Sequence, residues 1–143
     1  MDALGRLFNY RHVADNGYIR LDNAAHATFL CFLTGGVGDT YTLTEATSAA
    51  GAGAQVLPTI TRYYTCTGDG SDAWVLRTQT AGSTMVTAAS AAQNCAVLEV
   101  EAASLSAGYK YIKLASTGAG LVSALHTDLA DQRRPDSLPA IGV

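Results

Sequence analysis

The chain has 143 residues, a length that favours one domain and permits a self-sufficient core, since about 70% of the unfolded surface is buried at this size. Only 15% of residues are charged, against about 25% in typical soluble domains, and Ala, Gly, Thr and Ser take their place. The formal net charge of −3 and the scatter of Lys and Arg, apart from Arg133-Arg134, exclude a basic nucleic-acid footprint, and no run approaches the roughly 18 apolar residues of a membrane span.

Residues 1–26 read as an N-terminal arm with short β-like pieces. MDALGRLFNYRH has no apolar core of signal-peptide length, so a soluble protein made in a cytoplasm is expected. Tyr10–Ala14 and Gly17–Leu21 flank an Asn-Gly turn signal and form either a hairpin or an extended arm.

The core is expected over residues 27–129. Ala27–Leu33 (ATFLCFL) is almost continuously apolar and too short for an ordinary helix, which predicts a strand buried on both faces. Gly35, Gly36 and Gly38 then break the chain. Thr40–Glu45 alternates Tyr41 and Leu43 against Thr42 and Thr44, a strand pattern. Ala46–Gln55 is a linker of small residues, either a loop or a weak helical turn, with Gly51 and Gly53 against the helix. Thr59–Thr67 and Ala73–Thr80 predict two strands of a hairpin whose tip is Gly68–Asp72. Ser83–Thr87 is a short, weak run, and Ala88–Asn94 a second linker.

The stretch Cys95–Ser116 organises the chain. Ala96, Leu98 and Val100 alternate with Val97, Glu99 and Glu101, the signature of a half-buried strand. A second run contains Tyr109, Tyr111 and Ile112. Ala102–Gly108 between them is too long for a tight hairpin and suits a crossing between two sheets. Lys110 and Lys113 fall on opposite faces of a regular strand, which a bulge or a sheet edge would relieve. The run Leu105–Tyr111 resembles a tyrosine corner, in which a Tyr hydroxyl bonds backbone a few residues upstream; otherwise Tyr109 and Tyr111 are ordinary strand aromatics. Leu121–Leu129 predicts the last strand, with Val122, Ala124 and His126 on one face. In Ala130–Val143, Pro135 and Pro139 prevent regular structure and predict an extended C-terminal tail. About seven or eight strands at regular spacing give an all-β fold, a single antiparallel β-sandwich or a jelly-roll-like domain.

No constellation for catalysis stands out. His12, His26 and His126 are far apart and there is no GxSxG, although His126 and Asp128 share a face if their strand is regular. Asp69-Gly70-Ser71-Asp72 lacks the spacing of a calcium loop and reads as a solvated tip. The glycine patterns at Gly35–Gly38 and Gly118–Gly120 lack a P-loop lysine and the Rossmann spacing. Glu99 and Glu101 share a strand face and read as solvated. Cys31, Cys66 and Cys95 are an odd number at wide spacing with no CxxC. That argues against a disulfide framework and a zinc site, so three reduced, structural thiols are expected. No enzyme and no cofactor is expected.

Several stretches together resemble a group of small tailed-phage virion proteins of the minor capsid or head-decoration (cement) type. They are Phe29–Gly36, Tyr41–Glu45, Ala49–Ala54, Pro58–Tyr64 (Pro-x-Ile-x-Arg-Tyr-Tyr), Val97–Val100 (Val-Leu-Glu-Val), Gly108–Ile112 (Gly-Tyr-x-Tyr-Ile) and Arg133–Pro139 (Arg-Arg-Pro-x-x-Leu-Pro). The resemblance implies virion assembly without catalysis. The partner it implies is the major capsid protein, bound on the capsid surface by a homo-oligomer, with a trimer among the options, and with no nucleic acid or membrane involved. It carries no established functional residues. From the residues themselves, the tail is the expected contact, with Arg133 and Arg134 bonding carboxylates on a neighbour and Leu138 and Ile141 as apolar anchors. A tail-tube or head–tail connector component, or a secreted carbohydrate-binding sandwich using Trp74 and tyrosines, are the other readings.

Overall fold

Residues 3–13 and 17–142 are described by a computed structural model; residues 1–2, residues 14–16 (where the sequence places most of the Asn-Gly turn) and Val143 lie outside the described residues. In chain order the strands are β1 (Phe8–Val13), β2 (Ile19–Arg20), β3 (Ala24–Phe32), β4 (Asp39–Ala46), β5 (Gln55–Val56), β6 (Ile60–Cys66), β7 (Val75–Gly82), β8 (Thr84–Thr87), β9 (Cys95–Glu101), β10 (Tyr111–Ser116) and β11 (Leu121–Leu129). Among the described residues, helical structure is confined to single 3-10 turns at Ala91–Gln93, Ala102–Ser104 and Pro135–Ser137.

The fold is all-β. A six-stranded sheet in the order β1-β11-β3-β9-β6-β7 packs on a five-stranded sheet in which β2-β10-β4-β5 are neighbours and β8 also pairs β4. Every strand pair is antiparallel. Period-2 alternation sets the inner faces. Ala27, Phe29, Cys31, Leu98, Val122 and Ala124 from the larger sheet meet Tyr41, Leu43, Met85, Ile112 and Leu114 from the smaller one, all buried. The small-residue linker after β4 is a loop, not a helix.

The Cys95–Ser116 stretch does cross between the sheets: β9 belongs to the larger sheet and β10 to the smaller. β10 then hands the chain back to β11. Two buried carboxylates fasten these crossings, and both come from the inward row of β4. Glu45 accepts from the Ser106 N–H (2.9 Å), the Ser106 hydroxyl (2.5 Å) and Gln55 Nε2 (2.6 Å), tying down the β9–β10 connection. Asp39 accepts from the N–H groups of Thr40 (2.7 Å), Gly118 (3.0 Å) and Gly120 (3.1 Å), from Thr117 Oγ1 (3.2 Å) and from the Ser116 hydroxyl, tying down the β10–β11 turn. Gly120 is required there by close approach, because a Cβ on it would lie 2.6 Å from Asp39 Oδ2.

Three sequence expectations are corrected. First, the hairpin alternative for residues 10–21 does not form. β1 pairs with β11 at the edge of the larger sheet, whereas β2 pairs with β10 at the edge of the smaller one, so the N-terminal segment contributes an edge strand to each layer. Second, β3 is buried on one face only: Leu30 and Phe32 point outward and remain 39% and 38% exposed, since no described segment covers that side. Third, Tyr109 is no tyrosine corner. Its hydroxyl donates to the distant Gly53 carbonyl (3.1 Å), bracing the β4–β5 loop. The lysine conflict resolves by strand length, because Lys110 lies just before β10 while Lys113 sits within it over the Tyr18 ring, 4.7 Å from its centroid.

The tail is not free. It returns along both edge strands: the Arg20 N–H bonds the Ile141 carbonyl (2.7 Å), the Arg133 N–H bonds the Gly5 carbonyl (2.9 Å), and Asn9 Nδ2 donates to the Pro139 carbonyl (3.3 Å). Prolines keep this segment out of a ladder, and its carbonyls find partners one at a time.

Candidate functional site

The most distinctive surface is the outer face of the six-stranded sheet. In-register pairing lines up its outward residues across the strands. Ser123, Leu30, Val97, Tyr64 and Leu76 form one row over β11, β3, β9, β6 and β7. Leu121, Phe32, Cys95 and Cys66 form the next. Leu30, Phe32, Tyr64, Leu76 and Leu121 are all exposed large apolar side chains. Scattered surface hydrophobics need no explanation, but an exposed apolar stripe along one β-face is a feature to account for. Trp74, at the end of the β6–β7 loop, is also exposed and extends the apolar character of the hairpin.

Below the stripe the sheet splits. β6 and β9 pair only over Tyr64–Cys66 and Val97–Cys95, although both strands continue. The bond from the Leu33 N–H to the Asn94 carbonyl sets the ladder phase: even-numbered residues of β9 face β3 and odd-numbered ones face β6. The main-chain groups of Glu99 and Arg62 therefore face the split without pairing across it. The cause lies in β6. Its chain arrives from β5 in the other sheet through Leu57–Thr59, and its register to β7 is irregular between Ile60 and Arg62, so its first half leans away from β9. The result is a cleft of about 500 Å³ lined by Ile60, Arg62, Tyr64, Glu99, Glu101 and Ser104, among others. Beside it His26 lies between two carboxylates, 3.5 Å from Glu99 and 3.5 Å from Asp128. Stripe and charged cleft together give an apolar patch with a polar rim, the anatomy of a protein interface.

The residues named from the sequence separate into two groups. Arg133 and Arg134 are exposed, each near an exposed carboxylate (Asp131 and Asp136) at 3.8 Å. Leu138 is half-buried and Ile141 is buried against its own domain, so these two side chains are engaged while the tail is docked. His126 and Asp128 do not share a face. His126 points into the core, where burial pushes its pKa down to about 4. Asp128 takes a left-handed backbone (φ 52°), which breaks the alternation and turns it outward. Glu99 and Glu101 do share the outer face. At the β6–β7 tip, Asp69 accepts from Ser71 and Thr67, and Asp72 accepts from the Thr67 N–H, so these carboxylates brace the turn. Hydrogen bonds from Ser71 hold the Asp69 carboxyl down at about 2.

Among the described residues no group of three or more His, Cys, Asp or Glu is placed to hold a metal ion, and no helix is long and apolar enough to cross a membrane. The inward carboxylates of β4 feel opposing influences. Burial raises the pKa of Asp39 and Glu45, but the donors around each prevail, and both lie below the ordinary carboxylate range.

Sequence reasoning missed the apolar stripe and the buried acids. The signal for the stripe was present: Leu30, Phe32, Val97 and Tyr64 occupy the parity opposite to the core positions of their strands. No protein-family model matches the chain, and no curated protein or solved structure matches it either.

Proposed function

We propose that the protein is a non-enzymatic structural component of a tailed-phage virion that binds the capsid lattice and cements neighbouring subunits, with the outer face of the six-stranded sheet as its docking surface. The observation that carries this reading is the outward row of exposed Leu30, Tyr64 and Leu76 with half-buried Val97 between them, beside exposed Phe32 and Leu121. The resemblance of Pro58–Tyr64, Val97–Val100 and Gly108–Ile112 to head-decoration proteins supplies the kind of partner. Two of those three stretches fall on strands β6 and β9, which carry part of the stripe. The low charge content favours a surface that ends up covered. Arg133 and Arg134 serve at the rim, where charge tunes the rate and specificity of encounter more than affinity. Repetition over a lattice makes modest contacts sufficient, because neighbouring copies raise the effective concentration of one another.

The test is occupancy on capsids lacking the protein. Leu30→Glu and Leu76→Glu change exposed side chains and leave the core untouched. Each should fold as the wild type and lose capsid occupancy about tenfold or more, as expected when a charge enters a desolvated apolar contact. Arg133→Ala with Arg134→Ala should slow association and make it less salt-sensitive. Undiminished occupancy in both Leu variants would overturn the assignment of the face.

A further inference from the structure

We infer that Cys66 and Cys95 are a site of reversible oxidation, forming a cross-strand disulfide that staples the β6–β7 hairpin to the rest of the sheet. The sequence spacing hides this pair. The fold sets the two residues directly opposite on adjacent antiparallel strands, with both side chains on the outer face. By the ladder phase set at Leu33 and Asn94 they form a hydrogen-bonded pair, whose Cα atoms lie about 5.5 Å apart. Disulfides span Cα separations of about 4.4–6.8 Å, so the backbone need not move far. Cβ atoms at such a pair stand farther apart than a relaxed disulfide prefers, so the bond is strained and readily reduced, a switch more than a permanent brace.

The surroundings fit this chemistry. Cys95 is half-buried and the more accessible of the two, while Cys66 is buried beside it. Gly68 passes directly above, its would-be Cβ 2.5 Å from Cys95 Sγ, and its φ of 84° lets the chain turn away immediately after the pair. The third cysteine, Cys31, faces the core on β3 and is buried. Burial first, and then the adjacent Cys66, raises the Cys95 pKa, so exchange is slow at neutral pH and faster in mild alkali.

The location gives the bond a consequence. β6 and β7 are the outermost strands on their side, and only three residue pairs join β6 to β9. A disulfide at Cys66–Cys95 closes the end of that short ladder. The oxidant is a small-molecule disulfide. The Cys95 thiolate attacks oxidised glutathione, forming a protein–glutathione mixed disulfide and releasing one glutathione thiolate. The Cys66 thiolate then displaces the second, so two protein thiols are oxidised and one glutathione disulfide is reduced to two thiols.

The experiment treats the folded protein with oxidised glutathione at mildly alkaline pH, quenches, denatures and alkylates it, and maps peptides without reductant. The expected product has lost two hydrogen atoms, shows one alkylated cysteine (Cys31) instead of three, and yields a peptide joining Cys66 to Cys95. Dithiothreitol restores all three thiols, and the oxidised form melts higher than the reduced one. Cys66→Ser should arrest the reaction as a mixed disulfide on Cys95. Three alkylatable thiols after oxidation, a cross-link involving Cys31, or a mixed disulfide on the wild type that does not resolve would each overturn the inference. Because wild-type peptide mapping decides the matter alone, a variant that fails to fold does not blunt the test.

Discussion

Replacing Asp39 by Asn perturbs one atom and should be costly. The carboxylate accepts from three backbone N–H groups, one threonine hydroxyl and one serine hydroxyl, divided between its two oxygens. Oδ1 serves Thr40, Thr117 and Gly118; Oδ2 serves Ser116 and Gly120. An asparagine keeps the shape but turns one oxygen into a donor. In its better orientation the amide nitrogen replaces Oδ2, the Ser116 hydroxyl reverses to accept from it, and the Gly120 N–H loses its carboxylate acceptor and keeps the Ser116 hydroxyl oxygen at 3.1 Å. Losing that bond costs about 1 kcal/mol, and the surviving bonds fall from charge-assisted to neutral strength, a further loss of about 1 kcal/mol. We expect about 2 kcal/mol in all, read as a lower urea midpoint with unchanged slope. In a domain of this size it corresponds to a fall in Tm of about 7 °C. A loss below about 0.5 kcal/mol would refute the view that Asp39 holds the β10–β11 crossing.

Three further outcomes follow from the same geometry. Stability should fall as pH drops below the ordinary histidine value of 6.5, because the unfolded chain takes up a proton that buried His126, with its pKa near 4, refuses. Asp39 and Glu45 add their stabilisation fully above their unfolded values of 3.8 and 4.5 and lose it as pH falls through their lowered folded values, which steepens the acid limb. His126 Nε2 is buried with no partner, so His126→Leu should remove about 1–2 kcal/mol of the loss between pH 7 and 5 in urea titrations; an unchanged pH slope would contradict this. Ile141→Ala should cost about 2 kcal/mol by thermal or urea unfolding, since its side chain is packed on the domain; a neutral result would mean the tail does not dock. A short Gly/Ser insertion after Gly70, where an added Cβ meets nothing within 4 Å, should change stability by less than about 0.5 kcal/mol, with loss of soluble protein the contrary result.

The strands were legible because one inner face imposes period 2: Leu98 and Val100, or Val122 and Ala124, announce their own burial. The crossing nature of Ala102–Gly108 was also readable, since loop length rules out a tight hairpin. Other features depend on partners far along the chain. Asp39 and Glu45 look like strand-end polar residues until the two crossing loops bring donors to them. Ile141 resembles a loose tail residue because its contacts lie more than a hundred positions away, beside Arg20. The candidate face was half visible. Hydrophobicity alone predicts burial for Leu30 and Phe32, and only the sheet order shows that nothing in the described chain covers them. The Cys66–Cys95 pair was invisible, because register between β6 and β9 is a tertiary fact.

The most direct test of the proposed lattice binding is a quantitative mass-spectrometric census of tailed-phage virions purified from cells that carry the gene for this chain. The account predicts that the protein is present in a fixed, simple ratio to the major capsid protein, and that the ratio persists in heads separated from tails. Absence from the virion, or a handful of copies that travel with the tail or the connector, would contradict it.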